Sequence, residues 1–191
     1  MTETNIDIIS QYITDGKVII YPTETVWGIG CSPYNDKVIK RLYKIKNRAE
    51  NKPLLLLVNS VEMVLKHAPH LNKEEVNQLQ LAHPTSVILN NIIGLPFLPK
   101  GPNSSIAFRI TKHLTCQKII TKTGQPLIST SANFAGEKEA STYKELSKEL
   151  LKLADYVWED SINEENKNTK RTIKPSRIVQ VIEGKVVTLR E

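Results

Sequence analysis

The chain has 191 residues, 40% hydrophobic and 24% charged, with a formal net charge of +6. That length and balance suit a single α/β-sized domain with a substantial core and exclude wholesale disorder. The positive charge calls for an anionic partner, a nucleotide or an RNA, without choosing between them.

In chain order, Ile6, Ile9 and Ile13 recur at helical spacing and Gly16 offers a stop. Lys17–Tyr21 reads as a buried strand ended by Pro22. A second helix is expected from Asn35 to Lys46, with Val38, Leu42 and Ile45 on its apolar side. Leu54–Val58 is wholly apolar and bounded by Pro53 and Asn59, the pattern of a central strand buried on both faces. Helices follow at Val61–His67 and Lys73–Leu81, separated by Pro69. Strands are expected at Ser86–Asn90 and Ser105–Ile110, joined by a loop carrying Pro96, Pro99 and Pro102. A helix over His113–Thr123 ends at Gly124, and Pro126–Ser129 is a short strand. Thr142 and Glu145 fit a capping box that would open a helix at Ser141. Residues 159 to 174 are polar and read as a mobile loop, long enough to serve as a cover over a nucleotide. Arg177–Ile182 and Lys185–Leu189 flank Glu183–Gly184 as a hairpin. The sum is one α/β domain, residues 1–191, with a mixed sheet.

Cys31 and Cys116 make neither a disulfide framework nor a C-x-x-C pair, which suggests a reducing, cytoplasmic setting. The four histidines show no metal-ligand spacing, so no protein-held metal is expected. No apolar run approaches the roughly 20 residues a membrane span needs. The acidic N-terminus does not read as a signal peptide.

Four segments sit where expected strands meet loops, the places where open α/β sheets gather ligands. Tyr21-Pro-Thr-Glu-Thr-Val-Trp-Gly-Ile-Gly30 sets Thr23 and Thr25 around Glu24, a cradle for a small polar ligand in which Glu24 could orient an ammonium. A hydrogen-bonded turn with Trp27 packed inside explains the same residues. Lys44-Ile-Lys-Asn-Arg48 and Lys52 concentrate positive charge suited to phosphates. A helix dipole accounts for Lys44 and Lys46 but leaves Arg48 and Lys52 unexplained. Ser129-Thr-Ser-Ala-Asn133 could donate to phosphate or ribose, or only satisfy its own turn. Pro175-Ser-Arg-Ile-Val179 leads into the hairpin, and Arg109 places a guanidinium on an apolar strand, where it must meet an anion or acceptors unless exposed.

Taken together, these motifs resemble the YrdC-like family in its TsaC-type branch of threonylcarbamoyl-AMP synthases, over a span from Val18 to about Val179. The K-x-R and S-x-N signature is matched by Lys46-Asn-Arg48 and Ser131-Ala-Asn133, with Y-P-T-E-T letter for letter and Pro175-Ser176 in the P-S-T segment. The resemblance implies a twisted mixed sheet with flanking helices around a basic concave cavity. It implies that Thr23, Thr25, Arg109 and Ser176 hold threonine, and that Lys46, Arg48, Lys52, Ser86, Ser131 and Asn133 hold ATP, with Lys46 and Arg48 serving catalysis. Implied reactants are ATP, L-threonine and bicarbonate, with Mg²⁺ carried on the ATP phosphates. Implied partners are tRNA or other RNA and the proteins that complete N6-threonylcarbamoyladenosine (t6A). A non-catalytic double-stranded RNA-binding protein of ribosome maturation is the alternative. Two segments depart from the family: Leu81-Ala-His-Pro-Thr-Ser86 lacks the Trp and Gly of the W-P-G run, and Asn163-Glu-Glu-Asn-Lys-Asn-Thr-Lys-Arg171 replaces the Gly-rich stretch before P-S-T, with Arg177 where Thr is usual.

Overall fold

A computed structural model describes residues 3–158 and 174–191. The loop expected at 159–174 lies, apart from Lys174, outside the described residues.

Helix α1 (Glu3–Thr14) turns Ile6, Ile9 and Ile13 into the core, and Gly16, at φ 69°, follows its end. Strands β1 (Ile19–Tyr21) and β2 (Gly28–Gly30) precede α2 (Asp36–Ile45). The Asn35 side chain accepts from the Val38 amide and caps α2, so the two residues that bound the expected helix are its caps, Asn35 and Lys46. Val38, Leu42 and Ile45 are buried as the apolar spacing required. Then come β3 (Leu55–Val58), α3 (Val61–Leu65), α4 (Lys73–Gln80), β4 (Thr85–Leu89), β5 (Ile106–Ile110), α5 (Leu114–Thr123) and β6 (Leu127–Ser131). The described residues end with α6 (Lys148–Leu153), β7 (Tyr156–Val157), β8 (Arg177–Ile182) and β9 (Lys185–Arg190). Glu183 and Gly184 both take positive φ, 50° and 74°, the geometry of a tight hairpin turn.

The strands form one mixed sheet in the order β7-β1-β2-β6-β3-β5-β4-β8-β9. β3 is central, as its apolar run predicts. It pairs parallel with β5 and antiparallel with β6. Because side chains alternate along a strand, the registers sort residues into two faces. Ile128, Leu56, Phe108, Val87 and Val179 make one cross-strand row, all fully buried, on the face that carries α3, α4 and α5. Burying such side chains is worth about 1.5–3 kcal/mol each. The row on the opposite face, Ser129, Leu55, Ala107 and Ile88, is partly polar and lines a cavity.

Three expectations need correction. The strand begins at Ile19 rather than Lys17, because the Val18 amide donates to Asp155 Oδ2 (2.8 Å) instead of a strand neighbour. No helix opens at Ser141: Tyr143–Glu145 is a 3₁₀ turn, the Glu145 carboxylate accepts from the Ser141 amide (2.7 Å), and α6 starts after its cap Ser147. Strands β2 and β7 were not anticipated. β2 is Gly-Ile-Gly, a poor strand sequence, and closeness explains it. A Cβ on Gly30 would lie 1.7 Å from the Ile128 carbonyl oxygen of β6. Gly30→Ala should therefore push β2 off β6 and lower unfolding free energy by roughly 2 kcal/mol or more, read from the urea midpoint.

Candidate active site

The polar face of the sheet forms a cavity of about 430 Å³. Strands β2 to β6, β8 and β9 and the loops at residues 23–27, 48–54 and 101–105 surround it. Of the ten side chains expected to act on ligands, seven line this space: Thr23, Thr25, Arg48, Ser86, Arg109, Ser131 and Ser176. Lys46, Lys52 and Asn133 do not.

The T-E-T segment forms the hydrogen-bonded turn that one of its two readings expects. Thr23 Oγ1 lies 2.9 Å from Thr25 Oγ1, donates to the Val26 carbonyl (2.8 Å) and accepts from the Thr25 amide (3.1 Å), so it forms a hydrogen-bonded turn. Trp27 is fully buried beneath it with its ring edge against Tyr143. The turn nevertheless faces the cavity through both threonines. Glu24 lies outside the residues that line the cavity and is turned to Arg109 and Thr111. Its Oε1 sits 3.1 Å from Arg109 Nε, close enough for an ion pair though off the line of a well-formed hydrogen bond, and its Oε2 accepts from Thr111 Oγ1 (2.8 Å). Arg109 is 4% exposed and Glu24 8%, so this is a buried pair.

Strands β4, β8 and β9 contribute another part of the lining. Ser86 and Ser176, both buried, lie with hydroxyls 2.8 Å apart. Arg190 donates to the Ser176 carbonyl through Nε (3.1 Å) and Nη2 (2.8 Å) and lines the cavity. Partial burial lowers its pKa; nearby Glu139 opposes that shift and Arg109 adds to it. Sequence reasoning missed Arg190, and strand alternation would have aimed it wrongly. Thr188 pairs with Val179 on the helix-bearing face, yet Arg190, two residues on, pairs with Ile178 on the cavity face. A bulge between Ile178 and Val179 makes that switch. Glu139, also unforeseen, is a carboxylate in the lining.

Arg48 also lines the cavity and donates through Nη2 to the Pro53 carbonyl (3.0 Å), while its Nε is shielded from solvent with no acceptor among the described residues. An orphaned guanidinium donor beside a cavity suits an anionic ligand. Lys52 is exposed, and its carbonyl accepts from Tyr43 (2.6 Å). Asn133 Nδ2 donates to the Glu137 carbonyl (2.6 Å), and its buried Oδ1 has no partner among the described residues. Lys46 is 3% exposed, and its ammonium donates to the carbonyls of Ser131 and Asn133 (2.7 Å for the latter). Burial, with Arg48 adding to it and Glu139 opposing, lowers its pKa to about 8. Among the described residues no group of three or more His, Cys, Asp or Glu could hold a metal ion, and no helix is long and apolar enough to cross a membrane.

Three guanidiniums and a set of hydroxyls facing one cavity define a site for a small, anionic ligand on a mixed α/β sheet. A family model described as Sua5_yciO_yrdC, Telomere recombination, matches residues 11–191. The chain is 32% identical over 185 residues to the threonylcarbamoyl-AMP synthase of Blochmanniella pennsylvanica (strain BPEN), covering 95% of this chain and 91% of that protein. It is 33% identical over 153 residues to the threonylcarbamoyl-AMP synthase of Vibrio campbellii (strain ATCC BAA-1116), covering 76% and 81%. The crystal structure of P. abyssi Sua5 complexed with L-threonine superposes with a TM-score of 0.84 at 23% identity, covering all of this chain and 54% of that one. This chain thus spans about half the length of that protein, and the likeness there is one of fold. The chain belongs to the Sua5/YciO/YrdC family.

The Glu24–Arg109 pair yields a direct expectation. Glu24→Gln keeps the shape but leaves a buried guanidinium uncompensated, which should cost about 3–5 kcal/mol in denaturant unfolding. Adding Arg109→Met should recover much of that loss, a non-additivity that a double-mutant cycle measures.

Proposed function

We propose that this chain is a threonylcarbamoyl-AMP synthase, taking L-threonine, bicarbonate and ATP to threonylcarbamoyl-AMP, pyrophosphate and water for t6A modification of tRNA, the water leaving as the threonine amine and bicarbonate form the carbamate. The observation that carries this reading is one cavity whose lining brings together buried Arg109, Thr23 and Thr25 with Arg48, Arg190 and Ser131. The names of the curated relatives support it.

In this reading Arg109, fixed by Glu24, takes the threonine carboxylate, with Thr23, Thr25 and the Ser86–Ser176 pair supplying hydroxyls around the amino acid. Arg48 and Arg190 take phosphate oxygens, and Ser131 a further one. An oxygen of the threonine carbamate forms a bond to the α-phosphorus as the bond to the bridging oxygen breaks. The electron pair leaves with pyrophosphate. No side chain need become covalently attached. Holding the two reactants in line and neutralising the charge that collects on pyrophosphate are the tasks, and cationic and hydroxyl donors perform both. The lining is rich in such donors and has Glu139 as an anionic group, a set that fits Mg²⁺ arriving on the ATP phosphates better than an ion caged by the protein. The product would pass to the proteins that transfer it to tRNA, which places the reaction in the cytosol with its substrates.

A non-catalytic binder of double-stranded RNA has less support. Thr23, Thr25, Arg109, Ser86 and Ser176 are all buried, and a duplex backbone needs donors at the surface.

Pyrophosphate release should require threonine and bicarbonate together, with ATP and Mg²⁺. Equal release with threonine omitted would reject the synthase reading. Arg48→Ala should weaken ATP binding in calorimetry about tenfold to a hundredfold, the value of roughly 1.5–3 kcal/mol for a charge-assisted hydrogen bond, with the urea midpoint unchanged.

A further inference from the structure

Among the described residues that line the cavity, Glu139 is the one carboxylate, set among guanidiniums, hydroxyls and apolar groups. It is half-buried, and the chain on either side of it is anchored. The Asn133 side chain donates to the Glu137 carbonyl (2.6 Å), and the amide of Trp27, just before β2, donates to the Ala140 carbonyl (2.9 Å). Main-chain anchors, rather than a partner for its charge, thus set its position. Among the described residues its carboxylate forms no hydrogen bond and no salt bridge, whereas Glu24 is engaged by both Arg109 and Thr111. Glu139 still acts on two cations. Burial lowers the pKa of both Lys46 and Arg190, and Glu139 opposes that shift in each.

A fixed negative charge near Arg190 weakens the hold of this cavity on any bare polyanion, because like charges repel more strongly where water is excluded. A hard divalent cation reverses the sign. Mg²⁺ takes carboxylate and phosphate oxygens together, and one or two protein carboxylates serve when substrate phosphates supply further ligands. A lone carboxylate is no metal site by itself, and among the described residues no group of three His, Cys, Asp or Glu could hold an ion. Beside a bound triphosphate, one carboxylate is enough.

We propose that Glu139 makes the cavity discriminate between metal-bound and metal-free polyphosphate: its carboxylate repels a bare triphosphate and faces the magnesium ion of a complexed one. The proposal rests on the synthase reading above and deepens it, naming the magnesium complex of ATP as the form selected. Two other ligand groups could meet a carboxylate, the threonine ammonium and a ribose hydroxyl. Position favours the metal, since the cations under the influence of Glu139 include Arg190, assigned above to phosphate.

Calorimetry on the whole chain tests this without turnover. ATP is titrated once with excess MgCl2 and once with EDTA into wild type and Glu139→Gln, with threonine and bicarbonate left out. The quantity read is the ratio of the two affinities. Glu139→Gln should shrink the wild-type preference for the magnesium complex by roughly tenfold, and metal-free ATP should bind the variant more tightly than wild type. An unchanged ratio in a wild type that binds ATP overturns the proposal alone. Equal weakening of both forms also overturns it and assigns the carboxylate to the ribose. An unchanged ratio with weaker binding of L-threonine, titrated separately, overturns it in favour of the ammonium. Should the Gln variant not fold, Glu139→Ala is read on the same scale. A wild type that binds neither form of ATP rejects the synthase reading, and this proposal with it.

Discussion

A guanidinium on the cavity face of an interior strand sets the terms for much of this molecule. Arg109 projects from β5, two strands from the edge hairpin and next to the central β3, at the edge of the cavity and almost wholly buried. Such a charge must be compensated or it cannot stay. Compensation comes from Glu24, far away in sequence, and Glu24 is delivered only if the chain between β1 and β2 doubles over the sheet as a tight turn. Thr23 holds that turn, and Thr111, just past β5, donates its hydroxyl to the far oxygen of Glu24. The Y-P-T-E-T run thus serves a structural need before it serves any ligand. It joins the β7-β1-β2 side of the sheet to β5 and leaves the two threonines at the cavity edge.

With that pair in place, the two faces of the sheet take different roles. One buries an unbroken aliphatic and aromatic row under helices. The other keeps serine, alanine and arginine between its aliphatic residues, and so remains a hollow rather than a second core. The cationic lining explains how a net charge of +6 becomes a specific feature: three of its arginines converge on one cavity from three separate parts of the chain. The seryl pair at positions 86 and 176 shows the same economy, since each hydroxyl satisfies the other while both border the cavity.

Much of the fold was legible because the determining signals are local. Asn35 and the Val38, Leu42, Ile45 spacing define α2, and the apolar run at 54–58 defines the central strand. What escaped depends on distant contacts. β2 is a strand because a glycine is needed beneath the Ile128 carbonyl, and no window around Gly28–Gly30 contains that fact. The capping-box pattern at Thr142 misled because Glu145 folds back to Ser141, and the true cap is Ser147. In the site, seven of the residues read as ligand-facing share one cavity, while Lys46, Lys52 and Asn133 lie outside its lining. Composition could place Lys46 and Arg48 in one basic cluster but could not separate their directions. Arg190 was hidden by a register shift, since one bulge decides which face it serves.

The β8–β9 hairpin gives the site a temporal order as well as a wall. Ser176 and Arg190 come from the end of the described chain, and β8 joins the sheet beside β4, about ninety positions earlier. During synthesis, then, the ribosome will have released α1 through β6 before the cavity can close. Nascent chains that lack this hairpin have Arg109 and Arg48 but no opposing side. Ligand stabilises only a state that can bind it, so substrate gives no help to those early species. It acts on the molecule only after this long-range pairing of β8 with β4 has formed.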